Sequence, residues 1–199
     1  MPRWLDVIFA LGGLIVLAPL MLVIDLVIRL SSSGPALFRQ KRVGREGKLF
    51  EILKFRTMIV CPVESRGKLT VGNQDARITR VGKLLRKCKL DELPQLLNVL
   101  RGEMSFVGPR PEVPEYVELW DGAKRDVVLS VAPGITGPAS IVFRNENEIL
   151  DRVEDPEKFY VQRILPRKLS MNARYLETRT ASSDIGMIAE TVRRAVMRG

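Results

Sequence analysis

Asp91 and Glu92 are adjacent carboxylates placed directly behind the cations Arg86, Lys87 and Lys89 and ahead of Leu93-Pro94-Gln95. Asp91 suits a helix N-cap, and Pro94 fits a first turn, where a missing N–H costs little. Gln95-Leu96-Leu97-Asn98-Val99-Leu100 then predicts a helix that stops at Gly102. A helix N-terminus carries partial positive charge, and the neighbouring cations add full charges. A phosphate drawn there would lie beside a carboxylate able to attack it. Acidic residues in a first turn are also ordinary capping, so the rest of the chain must separate the two readings.

Composition narrows the chemistry. The 199 residues are long enough to bury a real core, and the net charge of +9 points to anionic partners: nucleic acid, a membrane surface or phosphorylated substrates. The absence of histidine excludes a Ser-His-Asp triad, a His-liganded zinc site and an imidazole proton shuttle. Two cysteines, Cys61 and Cys88, make no disulfide framework and suit a reducing compartment.

The elements that must position the pair follow in order. Val7 to Ile24 is free of charge, and a run of about 18 apolar residues is near the minimum for a spanning helix. No small-x-small cleavage site precedes the next charges, which argues against a signal peptide. Pro19 removes the hydrogen bond to Ile15 and should kink the helix. Cations flank both ends, Arg3 on one side and Arg29, Arg39, Lys41 and Arg42 on the other, so both ends favour the cytoplasm. A re-entrant hairpin over residues 1–30 meets both observations, and a tilted single span is the alternative. Ser31-Ser32-Ser33-Gly34-Pro35 then opens a cytosolic domain over residues 31–199.

That domain begins with a predicted β-hairpin: Ala36 to Val43, a turn at Gly44-Arg45-Glu46-Gly47, and a return over Lys48 to Met58. Lys54 and Arg56 share one face of the return strand, either as solvated surface or as a phosphate clamp. Cys61 to Gly72 reads as an exposed loop, and Arg77 to Arg86 as a basic amphipathic helix suited to an anionic membrane or to covering a core. Pro109 and Pro111 stiffen the backbone around Arg110, which suits bidentate contact with a diphosphate or stacking on a base. Pro133-Gly134-Ile135-Thr136-Gly137-Pro138 is a second stiff loop, and Asn145 starts a short helix after Arg144. Helices are predicted over Pro156 to Arg179, interrupted by Pro166, and over Ser183 to Arg198. The last has an apolar face of Ile185, Ile188, Val192, Ala195 and Val196. The fold class is α/β, mostly helical, with a small hairpin or sheet, amphipathic interfacial helices and the N-terminal membrane helix.

Taken together these pieces resemble the bacterial sugar transferases known as small monotopic phosphoglycosyl transferases. The matching residues are Phe38, Gln40, Arg42, Gly44, Gly47 and Phe50, then Lys54-Phe55-Arg56-Thr57-Met58, then Asp75 and Arg77-Ile78-Thr79. They continue with Arg86, Leu90-Asp91-Glu92-Leu93-Pro94-Gln95-Leu96, Asn98-Val99-Leu100, Gly108-Pro109-Arg110-Pro111 and Pro133-Gly134-Ile135-Thr136-Gly137. Two positions depart from the pattern: Ala18 stands where a serine usually precedes the kinking proline, and Pro138 to Phe143 diverges after Gly137.

The resemblance implies transfer of a sugar-1-phosphate from a UDP-sugar to undecaprenyl phosphate, with release of UMP. In such enzymes the aspartate of the pair attacks and holds the phosphosugar, Mg²⁺ is required, and the glutamate is its ligand. Those roles fall to Asp91 and Glu92. The resemblance further implies Lys54 in catalysis, with Arg56, Arg86, Pro109, Arg110, Pro111 and Arg144 in substrate binding. Ionised carboxylate and phosphate groups need no proton shuttle, so the lack of histidine is consistent with this chemistry. The implied location is the bacterial inner membrane, with the catalytic domain on the cytoplasmic face, in contact with membrane lipids and available to form a homodimer. Two other classes fit the composition: a silent scaffold for polysaccharide assembly, which the intact Asp91-Glu92 pair opposes, and a tethered nucleic-acid binder, which lacks any supporting motif. Nucleic acid is therefore not an expected partner.

Overall fold

The computed structural model describes residues 1–59, 75, 77–120 and 122–196. Its first element, α1 (Arg3–Ser31), runs 29 residues through Pro19. It is long and apolar enough to cross a membrane. Ile15, Val16, Leu22 and Leu30 are exposed on it, while Ala10, Ile24 and Ile28 are buried. Burial at both ends has specific causes. Arg3 donates to the carbonyls of Val99 (2.6 Å) and Leu100 (2.9 Å). Asp6 accepts from Ser105 Oγ (3.0 Å) and from the Phe106 amide (3.1 Å). At the other end Ile24 and Ile28 pack with Ala36, Phe55 and Leu85. Both ends of α1 therefore rest on the same domain.

The predicted hairpin forms from β1 (Leu37–Val43) and β2 (Leu49–Phe55), antiparallel with Phe38 opposite Lys54. Gly44 to Gly47 make the turn, and Gly47 adopts the positive φ that closes it. The return strand stops at Phe55, three residues before the expected Met58, which instead bridges Ile78. The predicted loop from Cys61 to Gly72 lies outside the described residues. Helix α2 (Arg80–Lys87) starts later than predicted because Thr79 caps it, accepting from the Gly82 amide at 2.9 Å. Helix α3 (Gln95–Arg101) ends at Gly102 in the left-handed conformation.

Two three-residue strands, β3 (Ser105–Val107) and β4 (Gly134–Thr136), pair in parallel with Ser105 opposite Gly134, an arrangement the sequence did not predict. They hold the two stiff loops side by side: the Gly134 amide donates to Pro109 O at 2.8 Å and the Gly108 amide to Thr136 O at 2.9 Å. Around this lie α4 (Pro114–Val117), α5 (Gly122–Leu129), α6 (Pro138–Val142), α7 (Glu146–Leu150) and α8 (Pro156–Phe159). A π turn over Tyr160–Ile164 leads into α9 (Leu165–Glu177), so the path continues where an interruption at Pro166 was expected. The π turn shifts the bonding just ahead of Pro166, the Leu165 amide donating five residues back to Tyr160 O.

Helix α10 (Ala181–Val196) packs on the domain through residues beside its apolar face. Ile185 and Val192 are exposed, whereas Asp184 is buried. Asp184 pairs with Arg179 (2.9 Å) and accepts from Tyr175 OH (2.7 Å), and Thr191 meets Thr136 at 2.6 Å. These polar anchors rotate the helix by one residue relative to its apolar stripe.

Close approach of α2 to the segment after β2 depends on Gly82, where a Cβ would stand 2.0 Å from the Thr57 carbonyl oxygen. Gly82→Ala must push α2 away from Thr57, and overpacking of this kind costs about 1–3 kcal/mol. A fall of that size in chemical-denaturation stability, with retained helical content, is the expected result.

Candidate active site

The carboxylate pair sits on a turn that begins at Lys89, a non-glycine residue held at φ 58°. From there Leu90–Glu92 form a 3-10 turn, and Leu93 and Pro94 keep right-handed helical angles into α3. Asp91 is therefore not the N-cap that the sequence suggested. Its side chain makes no capping bond, because α3 begins after Pro94 and the turn at Lys89 sets the geometry instead.

The two neighbours have opposite surroundings. Glu92 Oε1 accepts from Lys54 Nζ at 3.1 Å and from Arg110 Nη2, and Oε2 accepts from Arg110 Nη1 at 3.3 Å. Burial alone would raise the Glu92 pKa, but the charges of Arg110 and Lys54 and the Arg110 hydrogen bond hold it well below the usual value. Asp91 is only 7% exposed, and its Oδ1 is buried without a hydrogen-bond partner among the described residues. Burial first, then the charge of Glu92, push its pKa up. Burial lowers the Lys54 pKa, while Glu92 raises that of Arg110.

Asp91, Glu92, Lys54 and Arg110 thus come together as the sequence suggested. Arg86 lies beside them: its Nε donates to Thr57 Oγ1 at 2.9 Å, and Asp91 is the main charge opposing the effect of burial on its pKa. Pro109 and Pro111 act through their carbonyls, which accept from the Gly134 amide (2.8 Å) and from Arg42 Nη1 (3.2 Å). Arg56 does not join the clamp. Strand alternation ends at Phe55, and the Arg56 guanidinium turns under the end of α1, donating to Ser32 O (2.7 Å) and Ser32 Oγ (3.0 Å). Arg144, at the turn between α6 and α7, makes no hydrogen bond or ion pair with the described residues.

A supporting layer escaped the sequence reading. Arg42 donates to Gln40 Oε1 (2.8 Å) as well as Pro111 and lies 3.7 Å from Glu112. Glu112 accepts from Tyr160 OH (2.7 Å), and Lys168 reaches both Tyr160 OH (3.2 Å) and Glu146 (2.5 Å). This network braces the backbone that presents Arg110. Glu112, directly after Pro111, was the signal available for it.

Among the described residues no group of three metal-binding side chains occurs. Mg²⁺ commonly takes one or two carboxylates and completes its shell with phosphates and water. Adjacent Asp91 and Glu92, one with an unpaired oxygen, fit that pattern only with a phosphate substrate supplying further oxygens.

The bacterial sugar transferase profile matches residues 1–198. The chain belongs to this family. It is 41% identical over 152 residues to a UDP-glucose:undecaprenyl-phosphate glucose-1-phosphate transferase of Klebsiella pneumoniae, covering 75% of this chain and 32% of that protein. A Caulobacter vibrioides protein of the same name is 37% identical over 192 residues, 96% of this chain and 67% of the relative. The exopolysaccharide production protein ExoY of Sinorhizobium fredii is 39% identical over 165 residues, 76% and 73% respectively. A Bacillus subtilis relative, 45% identical over 116 residues, is spanned over 64% of its length. The match thus spans 64% of the Bacillus subtilis relative and 32% of the Klebsiella pneumoniae one, only part of the length of either.

The unequal charge environments give a stability test. Glu92→Gln removes the counter-charge of two largely buried cations, so it should lower folding stability by about 3 kcal/mol at neutral pH, the lower end for a broken buried pair since a third of the Arg110 side chain is exposed. With its pKa depressed on folding, Glu92 stabilises the fold above its unfolded value near 4.5, and that contribution disappears as pH falls through the folded pKa. Asp91→Asn should instead raise the melting temperature at pH 7, because folding disfavours the Asp91 charge. Thermal melts of both variants between pH 3 and pH 7, compared with wild type, measure the contrast.

Proposed function

We propose that this protein is a phosphoglycosyl transferase that moves a sugar-1-phosphate from a UDP-sugar to undecaprenyl phosphate. The observation that carries the reading is the contrast between Glu92, held by two cations, and Asp91, with a buried and unpaired oxygen. The names of the Klebsiella and Caulobacter relatives supply the substrate class.

The chemistry follows from that contrast. An Asp91 oxygen attacks the β-phosphorus of the UDP-sugar, and the bond from that phosphorus to the bridging oxygen breaks. UMP leaves with the electron pair, and the phosphosugar stays on the carboxylate as an acyl phosphate. An oxygen of the polyprenyl phosphate then attacks the same phosphorus and releases the Asp91 carboxylate, giving a lipid diphosphate sugar. A raised pKa makes Asp91 the more basic of the pair, and no donor must be displaced from its Oδ1 before attack. Glu92, its electrons drawn towards Lys54 and Arg110, is the weaker nucleophile; to serve as the Mg²⁺ ligand that the family resemblance implies, it would exchange one of those cations for the metal. Bound Mg²⁺ would offset the negative charge of the diphosphate. Lys54, Arg86 and Arg110 reduce the repulsion between Asp91 and that diphosphate, while Arg56 is engaged by Ser32 and Arg144 is left for the substrate.

The attachment of α1 supports a re-entrant membrane segment on the cytoplasmic face of the inner membrane. Its two ends meet one domain, Pro19 lies between them, and the exposed apolar side chains face away. Such a seat brings the site to the level where a lipid phosphate emerges.

Three measurements test these readings. Asp91→Asn should abolish UMP release from a panel of UDP-sugars with undecaprenyl phosphate and Mg²⁺, without altering membrane fractionation; release at the wild-type rate would refute the nucleophile assignment. For the wild type, kcat should fall on the acid side at a pH above the ordinary aspartate pKa of 3.8, because only ionised Asp91 attacks. Cysteines introduced at Pro2 and Ser33 should both resist an impermeant thiol reagent outside intact spheroplasts and react after lysis. Labelling of position 2 from outside would make α1 a span.

A further inference from the structure

Asp91, Gln95 and Asn98 are buried polar residues along the path that runs from the 3-10 turn through Leu93 and Pro94 into α3. The path is wound more tightly than an α-helix before α3 begins: the Leu93, Leu96 and Leu97 amides donate three residues back, to Leu90 O (3.3 Å), Leu93 O (3.1 Å) and Pro94 O (3.0 Å). All three side chains are buried, but they are partnered very differently. The Asn98 carboxamide is used throughout, accepting from the Leu53 amide (3.0 Å) and donating to Glu51 O (2.7 Å) and Glu103 (2.7 Å). It ties α3 to the strand that carries Lys54. Gln95 is 0% exposed, yet neither its Oε1 nor its Nε2 has a hydrogen-bond partner among the described residues.

A buried amide with both polar atoms unpaired is costly, whereas an apolar side chain of the same shape at that place would be neutral or stabilising. Its presence therefore calls for a role outside folding, and the buried group four residues before it on this path is Asp91, whose Oδ1 is also an unpaired acceptor among the described residues. We propose that Gln95 is a positioning residue for Asp91: its Nε2–H donates to one carboxylate oxygen when the donor substrate is bound, fixing the other oxygen in line with the phosphorus. Hydrogen bonds of this kind often form only in the substrate complex. The donated bond also stabilises the ionised carboxylate and so opposes the effect of burial.

This inference rests on the reading of Asp91 as nucleophile, and the experiment separates the two. Full-length wild type, Gln95→Leu and Asp91→Asn are compared in detergent for melting temperature and for UMP release from the UDP-sugar that the wild type turns over. Gln95→Leu should melt at or above the wild-type temperature while kcat falls by about tenfold to a hundredfold, the range of one hydrogen bond to a charged group. KM for the UDP-sugar should stay within about twofold. Wild-type kcat in Gln95→Leu overturns the inference, and so does a lower melting temperature, which would mean that the amide serves the fold. If Asp91→Asn keeps the wild-type rate, or the wild type releases no UMP, the nucleophile reading itself fails.

Discussion

One carboxylate shared by two cations governs the arrangement. Lys54 comes from the hairpin, Arg110 from the loop after β3, and Glu92 from the turn before α3, so their ion pairs join three separate parts of the chain. The same contact creates the asymmetry on which the chemistry rests. Glu92 stays ionised because Arg110 and Lys54 compensate it, while burial first, and the Glu92 charge second, raise the pKa of the adjacent Asp91. Two neighbours with the same functional group are thus differentiated by their surroundings, one held as an anion and the other with its charge disfavoured.

The clamp needs a rigid Arg110, and the sequence around it is not sufficient for that. Pro109 and Pro111 limit the backbone, but its position comes from long-range bonds. The Gly134 amide holds Pro109, and Arg42 holds Pro111 across 69 residues of sequence. Behind Arg42 stands the group of Glu112, Tyr160 and Lys168, anchored in the π turn and α9. A helical layer remote from the pair thereby fixes the angle at which a guanidinium meets it. Buried polar networks specify one geometry to the extent that their members are satisfied, and in this one the Arg42 Nε has no partner among the described residues.

Much of the site was legible because its residues lie close together in short motifs. The hairpin could be read from the Gly44–Gly47 turn and the alternation on either side, and Lys54 then fell opposite Phe38. The grouping of Asp91, Glu92, Lys54 and Arg110 followed from the family resemblance. Periodicity failed where elements are short or end early. Arg56 lost its place beside Lys54 because the strand stops one residue before it, and the three-residue strands β3 and β4 are too brief to leave a pattern. In α10 the apolar stripe was real, but Asp184 and Thr191 beside it found polar partners and face inward. The role of Arg42 depended on contacts that local spacing cannot encode.

The bonds from Arg3 to Val99 and Leu100 carry a consequence for biogenesis. They close over 96 and 97 residues, so the oily segment emerges from the ribosome long before its docking surface exists. At about 5–20 residues per second that interval is roughly 5–20 s. Throughout it the lipid bilayer, or a targeting factor, is the only shelter for those side chains. In the proposed membrane-seated arrangement, α1 would thus meet the bilayer before the turn that carries Asp91 and Glu92 is complete.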